Sequence, residues 1–291
     1  MRIGITGIHG LIGSKIAPLL AKKHTLIPLS KREGFDLLNE KSVLQGIEQN
    51  DLHYVLHLAA YTNVDEAEKQ KALLLESEAW KINVLGARYV AQATSRKNIK
   101  LIHVSTDMVF GKDEKDFFDE KSTPAPVNFY GLTKYEGEKE AQKNNSSSAI
   151  VRIAYPYTFS AEKKDYVRVF LGYLKENKSF SSVADCFYTP TYIEDIVISI
   201  DAIIENDITG IIHSTSGEKL SGFEIAQIIA EKFKFDKNLV SKTTRKEFFK
   251  DRAPRAYNTA LENTVLNKYG VKLHTLNETL SFMPKDLLKN E

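Results

Sequence analysis

The chain is nearly free of cysteine: Cys186 stands alone among 291 residues. One thiol excludes an intrachain disulfide and a Cys-rich metal site, and it fits a reducing compartment. Long apolar runs are missing too; none approaches the ~20 residues that a membrane-spanning helix needs. Neither sign of charge dominates. The 40 Lys+Arg against 38 Asp+Glu leave a net charge of +2, with the lysines interleaved among glutamates. Neither nucleic acid nor an acidic membrane surface is therefore expected as a partner. No internal repeat is evident. Met1 opens directly into a strand-like run, which leaves no room for a signal peptide. A cytoplasmic protein without a resident metal is the expectation.

What is present is an ordinary globular balance, 42% hydrophobic and 27% charged, in a length that suits one large or two modest domains. Apolar runs at 1–6, 24–29, 54–60, 100–105 and 149–154 read as buried strands. Helical patterns at 11–23, 78–96 and 130–143 separate several of them. Alternating strands and helices predict an α/β fold with a doubly wound (Rossmann-type) parallel sheet. After residue 155 the alternation weakens. Amphipathic helices are expected at 165–178 and 221–235, the second with Ser221 and Glu224 at capping-box spacing. Between them lie a helix at 191–205 and a short strand at 210–214. The expected division is 1–154 with 185–214 for the sheet, and 155–184 with 215–291 for a smaller discontinuous C-terminal substrate lid.

The first strand runs into Gly7-Ile8-His9-Gly10-Leu11-Ile12-Gly13 and then a helical segment. Strand, glycine turn and helix form the context of a dinucleotide phosphate site. Gly7 and Gly10 turn the backbone close to a pyrophosphate, Gly13 packs the helix onto the sheet, and the helix N-terminus supplies N–H donors. Gly7, His9, Gly10, Leu11 and Ile12 are the expected contacts. Pro18 falls inside the predicted helix and should bend or interrupt it. The second strand ends in Ser30-Lys31-Arg32. A hydroxyl and two cations suit a ribose 2′-phosphate, so NADPH is favoured and NADH is second. Asp36 could accept a hydrogen bond from an adenine amino group.

Tyr130 and Lys134 are four residues apart on one helical face. An ammonium beside a phenol predicts a lowered phenol pKa. Ser105 and Thr106, at the end of the fourth strand, offer hydroxyls to hold a carbonyl oxygen. Phenol, ammonium and hydroxyl make a proton-transfer set for carbonyl/alcohol redox chemistry.

These segments together resemble the extended short-chain dehydrogenase/reductases, and within them the dTDP-4-dehydrorhamnose reductase group. The resemblance covers nearly the whole chain. It rests on Ala59-Ala60-Tyr61-Thr62-Asn63-Val64-Asp65, Asn83-Val84-Leu85-Gly86, Ser105-Thr106-Asp107-Met108, Tyr130-Gly131-Leu132-Thr133-Lys134, Thr189-Pro190-Thr191 and Arg252-Ala253-Pro254-Arg255. It implies NADPH-dependent reduction of the C4 carbonyl of a nucleotide-linked 4-keto-6-deoxy sugar. Tyr130 would be the general acid, Lys134 would bind the nicotinamide ribose, and Thr106 with Ser105 would orient the carbonyl. Ala59, Ala60, Tyr61 and Asn83 would serve the cofactor, with Asn83 supporting the lysine through the active-site strand. Thr106, Asp107, Met108, Tyr155 and Arg255 would face the substrate.

The chain departs from the group at three places. Tyr155 stands where a tryptophan is common, Met108 stands where a tyrosine is common, and the Asp-Gln-x-Gly-x-Pro-Thr pattern reads Asp185-Cys186-Phe187-Tyr188-Thr189-Pro190-Thr191. These departures leave the sugar open among related 4-keto sugars. A 4,6-dehydratase is the nearest enzyme rival, but Met108 replaces the second carboxylate such enzymes carry. An epimerase is less compatible with the cationic Ser30-Lys31-Arg32. A non-catalytic NADP-binding regulatory subunit is the rival of a different class. His57 and His103 read as core histidines, Cys186 as packing or cleft lining, and Trp80 to Tyr89 as the candidate face for a homodimer.

Overall fold

The computed structural model describes residues 1–112, 115–160 and 165–288. Five strands open the chain: β1 (Arg2–Thr6), β2 (Thr25–Leu29), β3 (Tyr54–His57), β4 (Lys100–Thr106) and β5 (Ala149–Ile153). Four short ones follow, β6 (Pro156–Tyr157), β7 (Phe180–Val183), β8 (Phe187–Tyr188) and β9 (Thr191–Tyr192), before β10 (Gly210–His213), β11 (Leu220–Ser221) and β12 (Val240–Thr243). The main sheet has the order β10-β5-β4-β3-β1-β2, and every pairing in it is parallel. β3 and β5 are buried along their whole length, as a sheet covered on both faces requires. Pro28 is tolerated in β2 because that strand lies at the edge.

Two apolar cores sandwich the sheet. On one face Ile16 and Leu20 meet Ile3, Ile5, Val151, Ile196 and Ile200. On the other, Val43, Ile47, Val90 and Ala141 pack on Val55, Leu101 and Ile150. Each fully buried aliphatic side chain contributes about 1.5–3 kcal/mol relative to exposure. A third core unites Tyr157, Leu171, Leu174, Tyr188, Ile225, Ile229, Leu276 and Leu280, with Phe170 packed against it. It is built from the C-terminal segments and three two-stranded ribbons, β11–β8, β12–β7 and β6–β9.

The first helix is Gly13–Leu20 and runs through Pro18, shorter than the predicted 11–23 but not broken. Pro18 removes the N–H that would bond the Ser14 carbonyl. Both residues lie on the exposed face, where water can satisfy that oxygen. The predicted helix 78–96 contains a π turn at Lys81–Leu85, between Glu78–Trp80 and Gly86–Arg96. The segment 191–205 begins with β9 and becomes helical only at Asp195–Glu205. The predicted capping box is present: Ser221 and Glu224 bond reciprocally at the start of Gly222–Lys232.

The helix Phe129–Asn144 is tied to β5 by a buried ion pair. Arg152 Nε and Nη2 donate to the two Glu138 oxygens at 2.9 and 2.7 Å. The side chains are 3% and 1% exposed, so neither charge can be satisfied by water if its partner is lost.

Candidate active site

The turn after β1 is shaped by its glycines. Gly7 has φ +67°, and a Cβ there would lie 2.7 Å from the Ala59 backbone nitrogen. A Cβ on Gly13 would lie 2.3 Å from the Gly7 carbonyl oxygen. The turn thus presses against both the helix behind it and the segment after β3. In front of it lies a groove of about 700 Å³. Gly7, Gly10, Leu11 and Ile12 line one end, Ala59, Ala60 and Thr62 the flank, and Ser30, Lys31 and Asp36 the far end. These predicted residues are brought together. His9, Arg32, Tyr61 and Asn83 do not line the groove; His9 and Arg32 are exposed. Phe35, Leu37, Leu38, Leu58, Glu78, Ile82 and Pro156 complete the walls, and the glycine pattern carries no signal for them.

The cationic end of β2 holds an unforeseen carboxylate. Ser30 accepts the Arg32 backbone N–H through Oγ at 3.2 Å and donates the same hydroxyl to Glu33. The hydroxyl meant for a 2′-phosphate is therefore shared with an anion. Asp36 lines the groove but already accepts the Leu38 N–H at 3.1 Å through Oδ1.

A second cavity, about 330 Å³, adjoins the groove and shares Leu11, Ile12, Leu58, Ala60, Thr62 and Pro156 with it. Its other walls include Ser105, Thr106, Asp107, Met108, Tyr130, Lys134, Tyr155 and Tyr166. The Ser/Thr pair, the phenol and the ammonium thus meet in one cleft continuous with the glycine-loop groove. Local structure explains the convergence. Thr106 ends β4 and caps the tight turn Asp107–Val109, accepting the Met108 N–H at 3.2 Å. Asn128 caps Phe129–Asn144 by accepting the Gly131 N–H at 2.8 Å and donates to the Pro254 carbonyl at 3.0 Å. A Cβ on Gly131 would lie 2.1 Å from the Met108 carbonyl oxygen, so only glycine lets this helix dock on that turn.

The expected lowering of the Tyr130 pKa by Lys134 is not found. Burial raises the phenol's pKa, the nearby Asp107 raises it further, and a hydrogen bond with Thr106 only partly opposes them. Lys134 Nζ donates to the Val104 carbonyl at 2.8 Å instead. Burial lowers the ammonium pKa to about 8, with Glu138 opposing. Spacing put the two groups on one helical face, but desolvation outweighs a cation whose donor bond points to the strand. Asp107 is buried, and desolvation lifts its carboxyl pKa to about 6, against hydrogen bonds led by that from Thr259. Ser105 Oγ is buried without a partner, and such an orphaned hydroxyl is suited to a polar ligand atom.

Asn83 acts as a brace. It sits in the π turn, 2% exposed. Its Oδ1 accepts the Tyr61 N–H at 2.8 Å, and its Nδ2 donates to the Tyr61 carbonyl at 3.1 Å and to Thr133 Oγ1 at 2.9 Å. Thr133 in turn donates to the Tyr130 carbonyl at 2.8 Å. The amide reaches the Tyr130–Lys134 helix turn directly rather than through the active-site strand, and its polar atoms are used within the protein. His57 and His103 are both core residues, 1% exposed, facing each other across β3 and β4.

On the lid side, Arg255 donates to Asp65 Oδ1 at 2.9 Å and to the Ala253 carbonyl at 2.7 Å, and stacks over Phe249. It lines a small pocket with Met108, Tyr155 and Cys186 but not the cleft, so its guanidinium is committed to Asp65 rather than free for a phosphate. Cys186 donates weakly to the Ala256 carbonyl at 3.2 Å, and burial raises its thiol pKa to about 12, so it is pocket lining rather than a nucleophile. Tyr155 has φ +42°, a left-handed conformation that costs a bulky residue about 1–3 kcal/mol. Its ring stacks on Tyr188 with centroids 3.5 Å apart and planes 9° from parallel. Two of the departures from the resembled group therefore touch.

The groove fits a dinucleotide on its own evidence: a glycine turn with no room for a Cβ at Gly7 or Gly13, a helix start behind it, and an orphaned hydroxyl in the adjoining cleft. The comparisons agree. A model of the RmlD substrate binding domain matches residues 1–288. A dTDP-4-dehydrorhamnose reductase of Aggregatibacter actinomycetemcomitans is 30% identical over 285 residues, 93% of this chain and 94% of the relative. One from Mycolicibacterium smegmatis is 31% identical over 79% of this chain and 68% of its own length. Among solved structures, dTDP-4-dehydrorhamnose reductase from Bacillus anthracis in complex with NADP superposes with a TM-score of 0.87 at 31% identity, covering 97% of this chain and 98% of that one. The glycine-turn groove, the Ser105/Thr106–Tyr130–Lys134 cleft and a match along almost the whole length lead to one conclusion: this chain belongs to the RmlD substrate-binding-domain family.

Proposed function

We propose that the protein reduces the C4 carbonyl of a nucleotide-linked 4-keto-6-deoxy sugar with NADPH. One observation carries this reading: the groove of the glycine turn and the cleft of Tyr130 share six lining residues. A cofactor laid along the groove would end beside a phenol, two hydroxyls and an ammonium. Relatives named as dTDP-4-dehydrorhamnose reductases support the substrate class.

Gly7, Gly10, Leu11 and Ile12 would receive the diphosphate, Ser30 and Lys31 with nearby Arg32 the 2′-phosphate, and Phe35, Asp36 and Leu38 the adenine end. Glu33 beside Ser30 tempers the preference, so NADH remains a competing cofactor. When bound, NADPH supplies the hydride for the carbonyl carbon. Tyr130 then gives its phenol proton to the carbonyl oxygen. Its raised pKa keeps it protonated at neutral pH, the form a general acid needs for reduction. The orphaned Ser105 hydroxyl orients that oxygen, and Thr106, which donates to Asp107 Oδ1 at 3.0 Å, joins it by releasing that bond. Lys134, still protonated at pH 7, holds the ribose. Asp107 is fixed by Thr106 and Thr259 and shapes the turn that carries Met108 to the substrate.

Residues 1–154 and 185–214 would carry the cofactor, and 155–184 with 215–291 the sugar nucleotide. No helix among the described residues is long and apolar enough to cross a membrane. Action in the cytoplasm, as a monomer or as a homodimer paired through Trp80 to Tyr89, belongs to the same proposal; light scattering tests the assembly. The function itself is tested by NADPH- and NADH-dependent reduction of a panel of nucleotide-linked 4-keto-6-deoxy sugars. Turnover of at least one member, faster with NADPH, is expected. NADPH binding with no member reduced would favour the regulatory-subunit reading, and equal rates with NADH would overturn the role given to Ser30, Lys31 and Arg32.

A further inference from the structure

Tyr155 is a wall shared by three spaces. It lines the cleft of Tyr130, the small pocket of Arg255, and an apolar chamber of about 270 Å³ formed with Tyr166, Phe170, Tyr188 and Phe249. A bulky side chain does not keep a left-handed backbone unless its surroundings hold it there. Two contacts do so. The Tyr188 ring lies flat against it at 3.5 Å between centroids, and the Tyr166 ring meets it edge-on at 6.0 Å and 84°.

Tyr188 is itself well anchored. It is 5% exposed and pairs with Leu220 across β8 and β11. It lines the chamber and not the cleft. It therefore touches no part of the reacting space, yet it fixes where one wall of that space stands. The Tyr188 ring covers one face of Tyr155, which lines both the cleft and the chamber. The cleft, about 330 Å³, and the chamber, about 270 Å³, have two walls in common, Tyr155 and Tyr166.

We propose that Tyr188 is a positioning residue for substrate selection. By clamping Tyr155 in its left-handed conformation, it keeps the cleft closed off from the apolar chamber and bars carbonyl substrates that carry a bulky apolar substituent on that side. The selection among carbonyl substrates rests on the ketoreductase reading; the clamp does not.

Three variants test it: Tyr188→Phe, which keeps the stack, Tyr188→Ala, which removes it, and Tyr188→Leu, which replaces the ring with an aliphatic group should the alanine variant fold poorly. NADPH affinity, read by fluorescence titration, stays at the wild-type value in all three. With the accepted keto sugar, Tyr188→Phe keeps the wild-type KM. Tyr188→Ala raises KM about tenfold, the scale of one stacked aromatic pair, while kcat changes little. It also gains reduction of 4-benzylcyclohexanone, which the wild type excludes. A crystal structure of the alanine or leucine variant with NADPH is the readout that needs no substrate: Tyr155 should leave positive φ and turn into the chamber. Tyr155 unmoved there, or a KM that rises equally in Tyr188→Phe, overturns the clamp. If Tyr155 moves but no keto sugar is reduced even by wild type, the clamp stands and the sugar reading falls.

Discussion

Gly13→Ala isolates the glycine turn from everything else in the protein. The added Cβ would stand 2.3 Å from the Gly7 oxygen, 2.7 Å from Ile8 Cα and 2.9 Å from Ile8 carbonyl carbon. All three are backbone atoms, so no side chain can rotate to relieve the contact. Restoring an ordinary separation of about 3.5 Å moves the turn outward by roughly 1 Å. Overpacking of this kind costs about 1–3 kcal/mol. A shift of that size at a binding loop is worth on the order of 100-fold. NADPH affinity should therefore fall about 10- to 100-fold, with a Tm lowered by a few degrees. Fluorescence titration with NADPH and calorimetry on the same sample measure both. Gly172→Ala is the control. It lies mid-helix in Tyr166–Lys175 with nothing within 4 Å of the new Cβ, and it should stabilise by about 0.5–1 kcal/mol. Gly13→Ala binding NADPH within about twofold of wild type would refute the assignment of this turn as the cofactor cradle.

Other perturbations follow the same logic. Asn83→Ala leaves the buried Tyr61 N–H and carbonyl and the Thr133 hydroxyl each short of a partner. It should cost about 3 kcal/mol or more in urea unfolding and reduce kcat beyond what the lost stability explains; a loss under about 0.5 kcal/mol would remove it as the brace. Arg152→Met strands the Glu138 carboxylate and should cost about 3–5 kcal/mol, whereas the double change Arg152→Met with Glu138→Leu should recover most of it. Acid should destabilise the fold well above the usual carboxylate range. Burial holds His57 to about 3 and His213 to about 4, and holds His103 well below its ordinary value. As pH falls below about 6.5 the unfolded chain takes up protons that the folded chain refuses, so this stability is present above pH 6.5 and lost on the way to 4. Asp107, raised to about 6, and Glu194, also raised by burial, act oppositely, but they are two groups against three. The net effect is a loss of stability on acidification, and a Tm that stays flat from pH 6.5 to 4.5 would contradict it.

The parallel sheet was legible because its buried strands are apolar runs, and the glycine turn because strand, turn and helix follow one another within a few residues. Ser105, Thr106, Tyr130 and Lys134 were legible as a set because order along the chain and helical spacing carry them. Three of the misses depend on atoms far apart in sequence; the π turn and Glu33 are local features that pattern and composition do not carry. The π turn at Lys81–Leu85 adds one residue to a turn without disturbing the apolar pattern. In the sequence Arg255 suits a substrate phosphate and a salt bridge equally, because Asp65, its partner, is 190 residues away. The Tyr130 pKa was read from a neighbouring charge, when burial by surrounding segments sets its direction. Glu33 was passed over beside the cationic Ser30-Lys31-Arg32, since a turn's internal hydrogen bond is not visible in composition. Tyr155 and Tyr188 were each noted as departures, but nothing in the chain's order says that their rings stack.

Tyr130→Phe tests the central claim most directly. It removes one hydroxyl from a helix start whose backbone is held by Asn128, Thr133 and Asn83. Single-turnover reduction of the accepted 4-keto sugar nucleotide, with NADPH affinity measured on the same preparation, separates chemistry from binding. The proton-donor role predicts a fall in the hydride-transfer rate of about 100-fold or more, with NADPH affinity unchanged. A variant that binds NADPH normally and still reduces the sugar within about tenfold of the wild-type rate would contradict the account.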